Sequence, residues 1–199
     1  MTAGSENYPI NPNDWAFLDI GFSGKSKTSG LLLPGMSEAK NVLWKASKTQ
    51  IIECAKQKSG ALHLMIEAPL SMAFDQAGNP IGRKFEKRGN KTRYWYLQGG
   101  AVTMVAASLL IADAWNDADV NIILYEAFLS FKTQKTDHKA DAVLMRDAIG
   151  GRNAGVRYSE SIKLNTSDKL FSSTHKFGMD FGIPPTFLID VDEIKGTNS

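Results

Sequence analysis

The feature that most constrains this chain is an apolar segment, Trp15–Asp19, that carries an acid at its end and is followed at once by glycines. This pattern predicts a buried strand that runs into a tight turn. A carboxylate in such a strand is costly unless a cation or a metal neutralises it. Two later acids are candidates to share that partner: Glu67, at the end of the apolar stretch 61–66, and Asp141. We therefore expect the three acids to converge on divalent metal.

Composition places few other limits on the chain. Its 199 residues, 43% hydrophobic and 22% charged, fit one globular domain with an appended tail, and the net charge of +2 does not by itself indicate a partner. The single cysteine, Cys54, cannot form an internal disulfide. The start of the chain lacks the pattern of a secretory signal, and the longest apolar run, 101–112, is too short to cross a bilayer. We expect a cytoplasmic protein that does not bind membranes.

Hydrophobic periodicity and turn residues predict an α/β fold with alternating strands and helices. Strands are expected at 15–19, 31–33, 42–44, 61–67 and 120–125, and helices at 47–58, 97–116 and 137–149. Ser47 is predicted to cap the first helix, and the second should bury Val102, Val105, Ala106, Leu109 and Leu110. We expect a loose lead-in over 1–13, a main domain over 14–150 with an irregular insert at 70–96, and a C-terminal extension over 151–199 that forms extra strands or an arm.

Three short motifs resemble a known family. Asp19-Ile-Gly21 resembles the first-strand motif of RuvC-type Holliday-junction resolvases, Ile66-Glu67 their fourth-strand acid, and His138-Lys-Ala-Asp141-Ala the start of their last helix. The segment 125–128 is similar to an uncharacterised bacterial family of predicted ribonuclease H-like nucleases. The resemblance implies a ribonuclease H-like fold, a mixed five-stranded sheet flanked by helices, and a homodimer. The insert and the long tail depart from the resolvases.

The resemblance also implies a chemistry, an endonuclease that hydrolyses phosphodiester bonds with two metal ions. Such sites use hard oxygen ligands to hold two Mg²⁺, or Mn²⁺, roughly 4 Å apart. Asp19 would bridge the ions, and Glu67 and Asp141 would each complete the coordination of one. His138 lies three residues before Asp141, on the same helix face, so it would add a ligand or move a proton.

The insert holds six cations against one acid over 83–93, and aromatic residues follow it. Beside a metal site, these side chains would neutralise backbone phosphates and stack on an unpaired base. The expected nucleic-acid contacts are Lys25, Arg83, Lys84, Lys87, Arg88, Lys91, Arg93 and Trp95. We expect structured or branched DNA as the substrate in preference to RNA. The insert could instead be a solvated loop, with its aromatic residues anchoring the second helix.

Each acid also has a structural alternative. Asp19 could be an ordinary strand-to-turn residue, and Glu67 could accept backbone hydrogen bonds. Asp137 and His138 could be a helix cap and a first-turn residue. Glu126 is open between a fourth metal ligand and a surface acid. With these alternatives, the chain would be a ribonuclease H-like module that binds nucleic acid or protein with little or no catalysis.

Two nucleotide-binding alternatives are less consistent with the sequence. The stretch 19–26 nearly matches a P-loop, with Asp19 in place of the first glycine. A P-loop must lead into a helix, whereas Gly30 and Pro34-Gly35 oppose one here. An actin-like ATPase needs two such domains, for which this chain is too short.

Overall fold

The computed structural model describes residues 1–21, 25–129, 131, 137–151 and 154–190. Its strands are β1 (Thr2–Ala3), β2 (Trp15–Asp19), β3 (Ser29–Leu32), β4 (Lys40–Val42), β5 (Leu62–Glu67), β6 (Ser71–Phe74), β7 (Pro80–Ile81), β8 (Lys87–Arg88), β9 (Lys91–Thr92), β10 (Ile122–Phe128), β11 (Ala154–Arg157), β12 (Lys169–Ser172) and β13 (Thr186–Ile189). Its α-helices are α1 (Trp44–Gln57), α2 (Gln98–Trp115), α3 (His138–Gly151) and α4 (Ser159–Ile162).

A mixed sheet of eight strands organises the fold. Seven of them follow the order β11-β13-β10-β5-β2-β3-β4, and β1 pairs with β10. The strands β2, β5, β10 and β13 are parallel, while β3, β4 and β11 run antiparallel to their neighbours. The predicted α/β class is therefore confirmed. The five predicted strands lie side by side as β4, β3, β2, β5 and β10, but the sheet is larger than the five strands expected, because both ends of the chain add strands to it.

Both faces of the central strands are buried, which explains why β2, β5 and β10 read as nearly continuous apolar runs. On one face, Leu18, Leu64 and Leu124 pack with Ile51 of α1 and with Leu110 and Ile111 of α2. On the other, Phe17, Met65 and Tyr125 pack with Met145 and Ile149 of α3. The alternation of side chains along each strand thus assigns α1 and α2 to one side and α3 to the other.

The boundaries of the first helix differ from the prediction. The helix begins at Trp44 rather than Ser47, and the preceding strand ends at Val42. Ser47 is buried in the first turn, where its hydroxyl donates to the carbonyl of Trp44 at 2.7 Å. A serine can bond to its own helix as readily as it caps one, so the capping pattern alone did not locate the boundary.

The buried face of α2 also differs from the prediction. Ala106 and Leu110 are buried as expected, but Val102, Val105 and Leu109 are 51%, 56% and 55% exposed. The residues of α2 that pack in the core instead include Ala107, Ile111 and Ala114. This helix is apolar on every side, so its pattern does not indicate which side packs.

The insert is folded rather than irregular. Its strands β6 and β7 form a three-stranded sheet with β12, and β8 pairs with β9 as a hairpin. Since β12 comes from the C-terminal extension, the partner of β6 lies far along the chain. Short strands paired at such a distance leave no periodic signal in the local sequence.

The ends of the chain belong to the same body. In the lead-in, Thr2 and Ala3 pair with Ile123 and Leu124 of β10. The extension supplies β13, which pairs with Glu126–Phe128 of the same strand. Over the described residues, the extension contributes β11, β12 and β13 as strands. Among the described residues, no helix combines the length and apolar character needed to span a membrane.

Candidate metal centre and adjoining cavity

Three carboxylates meet at one edge of the sheet. Asp19 is the last residue of β2 and Glu67 the last of β5, and the two are direct neighbours in the parallel register. Asp141 joins them from the first turn of α3. One carboxylate oxygen from each of the three residues lies within 4.8 Å of those from the other two. Asp19 and Asp141 are only 1% and 3% exposed, whereas Glu67 is half-buried.

The start of α3 is held in register by local contacts. The carboxylate of Asp137 accepts the backbone N–H of Ala140 at 2.7 Å, and its carbonyl accepts that of Asp141 at 3.0 Å. Asp137 is thus an N-cap, the structural alternative for this residue. Gly30 of β3 lies directly beneath: a Cβ atom there would clash with the backbone carbonyl of His138. The glycine therefore allows the helix to approach the sheet closely enough to deliver Asp141.

His138 lies at the rim of the carboxylate group. Its Nδ1 is 2.8 Å from Oδ1 of Asp19, and 42% of its side chain is exposed. One nitrogen of the ring therefore contacts the buried acid while the ring remains accessible to solvent. Such a group can orient the carboxylate and exchange a proton with bulk water.

Glu126 does not belong to the carboxylate group. It aligns with Ile66 rather than Glu67 in the pairing of β10 with β5, so it faces the opposite side of the sheet. It is 1% exposed, and its carboxylate accepts the backbone N–H of Leu70 at 2.8 Å and Nη1 of Arg83 at 2.7 Å. Glu126 is therefore neither a fourth member of the carboxylate group nor a surface acid, the two alternatives considered for it.

Arg83 corrects a second expectation. Predicted to bind phosphate, it is 1% exposed and lies between Glu126 and Glu86, whose Oε1 is 2.8 Å from its Nη2. Its Nη1 also donates to the hydroxyl of Ser71 at 2.9 Å. Burial opposes the charge of Arg83, but the two glutamates outweigh it and raise the pKa of the guanidinium. The residue therefore fastens the insert to β10.

Trp95 is the third correction. It is 7% exposed, its indole N–H donates to the carbonyl of Ile81 at 2.9 Å, and its ring packs edge-on against Phe74. A ring held in this way is not available to stack on a base. It anchors the insert, which is close to the alternative that these aromatic residues serve packing.

The remaining predicted cations are exposed. They are Lys25 after the first strand, Lys84 in a short helical turn, Lys87, Arg88 and Lys91 in the β8–β9 hairpin, and Arg93 just after it. Arg93 also lines a cavity beside the carboxylates. The insert thus presents its exposed positive charge on one hairpin and on the residues that flank it, next to the candidate site.

That cavity has a volume of about 610 Å³. Asp19, Glu67 and His138 line one side, and Arg93 and Tyr94 of the insert line another. Phe128 of β10 and the first turn of α2 contribute further wall. The carboxylate group therefore opens into a cleft that is partly open to solvent and not onto a flat surface.

The donor set suits a hard divalent cation. Three carboxylates from three elements supply oxygen ligands, the type that Mg²⁺ and Mn²⁺ prefer. Like charges this close repel one another, and a bound cation relieves the repulsion. Asp19, Glu67 and Asp141 therefore fit a metal ion.

Sequence reasoning missed the buried network of Arg83, Glu86 and Glu126. One signal was available: Arg83 and Glu86 are three residues apart, a spacing at which opposite charges pair. Comparison of the chain with models of known protein families, with curated proteins and with solved structures gives no significant match.

Proposed function

We propose that this protein is a divalent-metal-dependent nuclease that hydrolyses phosphodiester bonds of nucleic acid. The observation that carries the proposal is the group formed by Asp19, Glu67 and Asp141, whose ligand oxygens lie within 4.8 Å of one another. Their arrangement on the ends of two adjacent parallel strands and on a facing helix supports a ribonuclease H-like fold. The cavity and the exposed hairpin cations favour a large anionic substrate.

Each residue has a role in this proposal. The three carboxylates hold Mg²⁺ or Mn²⁺, which when bound supplies Lewis-acid stabilisation and water activation. His138 contacts Oδ1 of Asp19 through Nδ1, and its ring can transfer a proton in the site. The exposed Arg93, which also lines the cavity, attracts the phosphate charge.

Cleavage of labelled oligonucleotides tests the proposal. Single-stranded DNA, duplex DNA, a branched junction and single-stranded RNA should be compared in Mg²⁺, in Mn²⁺ and in EDTA. We expect at least one substrate to be cleaved, and we expect this cleavage to require metal. Asp19→Asn should reduce it by several orders of magnitude, since the amide has the same volume but lacks the charge. The matched control is Asp119→Asn, at an exposed position in the turn before β10.

A direct measurement of metal binding separates the proposal from a non-catalytic module. Terbium luminescence or calorimetry with Mn²⁺ should detect binding to the wild-type protein and a large loss in Asp19→Asn. Metal binding without cleavage of any substrate would favour a binding module. Wild-type cleavage by Asp19→Asn would refute the catalytic assignment.

A further inference from the structure

A second pocket adjoins the cavity and is lined by aromatic rings. Phe85 of the insert packs edge-on against Phe128 at 4.9 Å, and Phe128 packs in the same manner against Phe131 at 5.6 Å. All three rings are partly exposed. The pocket has a volume of about 260 Å³, below the range of about 300–1,000 Å³ usual for drug-sized ligands. It suits one flat aromatic group.

The rim of this pocket carries positive charge. Lys87 and Arg88 of the hairpin line it and are exposed. The rim also includes an acid, Asp190, whose Oδ2 is 3.6 Å from Nη1 of Arg88. Exposed pairs of this kind are weak, so the guanidinium remains able to meet a stronger anion. Aromatic rings beneath a cationic rim are the combination that binds single-stranded nucleic acid.

Phe128 connects the two spaces, since it lines both the cavity of the carboxylates and the aromatic pocket. A strand with its phosphate at the carboxylates could therefore place an adjacent base against the rings that line the aromatic pocket. A base still paired in a double helix is not able to enter, because it must first leave the stack.

Building on the proposed nuclease function, we infer that the substrate carries an unpaired nucleotide beside the scissile phosphate, and that its base binds in the pocket of Phe85, Phe128 and Phe131. Lys87 and Arg88 contact the phosphate of that nucleotide. The protein then selects single-stranded regions, loops or frayed ends through stacking, which is tolerant of base identity.

Binding without cleavage tests this inference. Fluorescence anisotropy with Ca²⁺ in place of Mg²⁺ should compare single-stranded DNA, single-stranded RNA and duplex DNA. Phe85→Leu and Phe131→Leu retain apolar volume but remove a ring, so each should weaken binding of the preferred single strand about tenfold. Duplex binding and thermal stability should stay unchanged. Phe177→Leu is the matched control, a ring that is 69% exposed beside the end of α2.

The use of two variants, Phe85→Leu and Phe131→Leu, keeps the test valid if one of them misfolds. The ring of Phe85 lies beneath the buried guanidinium of Arg83, so Phe85→Leu alone could disturb the insert. Phe131 has no such contact among the described residues. Photo-crosslinking of a strand that contains 5-iodouracil should in addition label one or more of the three phenylalanines.

The outcomes distinguish this inference from the nuclease proposal. Weaker single-strand binding by Phe85→Leu and Phe131→Leu supports the pocket, whether or not cleavage is found. Cleavage that depends on Asp19 but is equal on duplex and single strands, with normal binding by both variants, would overturn the pocket and retain the nuclease.

Discussion

Nδ1 of His138 lies 2.8 Å from Oδ1 of Asp19, which joins the first residue of α3 to the last residue of β2. Asp19 is buried, while His138 lines the cavity and 42% of its side chain is exposed. The histidine therefore connects the buried acid to the outside. We expect His138→Ala to slow cleavage by about 100-fold or more, which is less than the loss in Asp19→Asn.

His138→Asp should retain more activity than His138→Ala, because a carboxylate at this position can still hold metal. Single-turnover cleavage measures the chemical step in all three proteins. Equal rates for the wild type and His138→Ala would reduce the histidine to a helix-end residue.

The contact between β3 and α3 gives a second prediction. Gly30→Ala puts a methyl group into the backbone of His138, so α3 must shift and carry Asp141 with it. We expect a loss of about 1–3 kcal/mol in the free energy of unfolding, as for other overpacked sites, together with weaker metal binding. Urea denaturation and terbium titration measure the two effects. Gly60→Ala is the control, since a Cβ atom there meets nothing within 4 Å. Equal stability and equal metal binding of the two variants would contradict a close approach of α3 to Gly30.

The buried network predicts a large loss of stability on truncation. Arg83→Met leaves the carboxylates of Glu86 and Glu126 buried without their cation. Breaking a buried ion pair from one side costs about 3–5 kcal/mol. Arg88→Met, at an exposed hairpin position, should cost little. Urea denaturation compares the two. Adding Glu86→Gln and Glu126→Gln to Arg83→Met should recover part of the loss, and a failure to do so would point to packing rather than charge.

The exposed cations of the insert should control the salt dependence of nucleic-acid binding. Replacing Lys84, Lys87, Arg88 and Lys91 with glutamine should weaken binding and flatten the dependence of log K on log salt. Each of these cations that neutralises a phosphate should, when replaced, reduce the slope by about 0.7 on a single strand. Replacing Lys45, Lys48 and Lys56 of α1 in the same way serves as the control. An unchanged slope in the hairpin variant would show that these side chains do not meet phosphate.

His63 predicts how stability depends on pH. Its ring is half-buried beside Trp15 and Tyr125, and burial lowers its pKa, an effect that Asp14 opposes and Lys58 reinforces. The folded protein thus binds this proton less readily than the unfolded chain, so His63 favours folding above the ordinary histidine pKa and less so as pH falls. As pH falls from about 7.5 to about 5, the free energy of unfolding of His63→Gln should decrease less than that of the wild type. Urea denaturation at each pH measures this, and an equal loss in the free energy of unfolding for both proteins would refute it.

The sequence was sufficient to predict the elements that carry the acids. Trp15–Asp19 and the strand ending at Glu67 have apolar residues on both faces, and this local pattern is enough to identify a buried strand. Parallel strands bring their carboxyl ends to one edge, so the meeting of the two acids followed from the order of elements. Asp141 followed because α3 begins just before it.

The insert was not predictable in the same way. Arg83 belongs to a run of cations that resembles a solvated surface, and only the fold reveals that Glu126 lies within reach. Likewise, β6 becomes a strand through pairing with β12, a contact that no local pattern encodes. Hydrophobic periodicity can be read from the local sequence, whereas buried ion pairs and long-range strand pairing depend on which distant segments the fold brings together.

The pairing of β6 with β12 has a consequence for the order of assembly. As the chain leaves the ribosome, Asp19, Glu67 and Asp141 emerge before Lys169–Ser172. The sheet edge that carries the acids can therefore form while the small sheet of the insert still lacks a strand. Because synthesis runs from the N-terminus, β12 reaches β6 only after all three carboxylates have been made. Under the proposed function, a nascent chain would hold every candidate metal ligand before the small sheet of the insert could close.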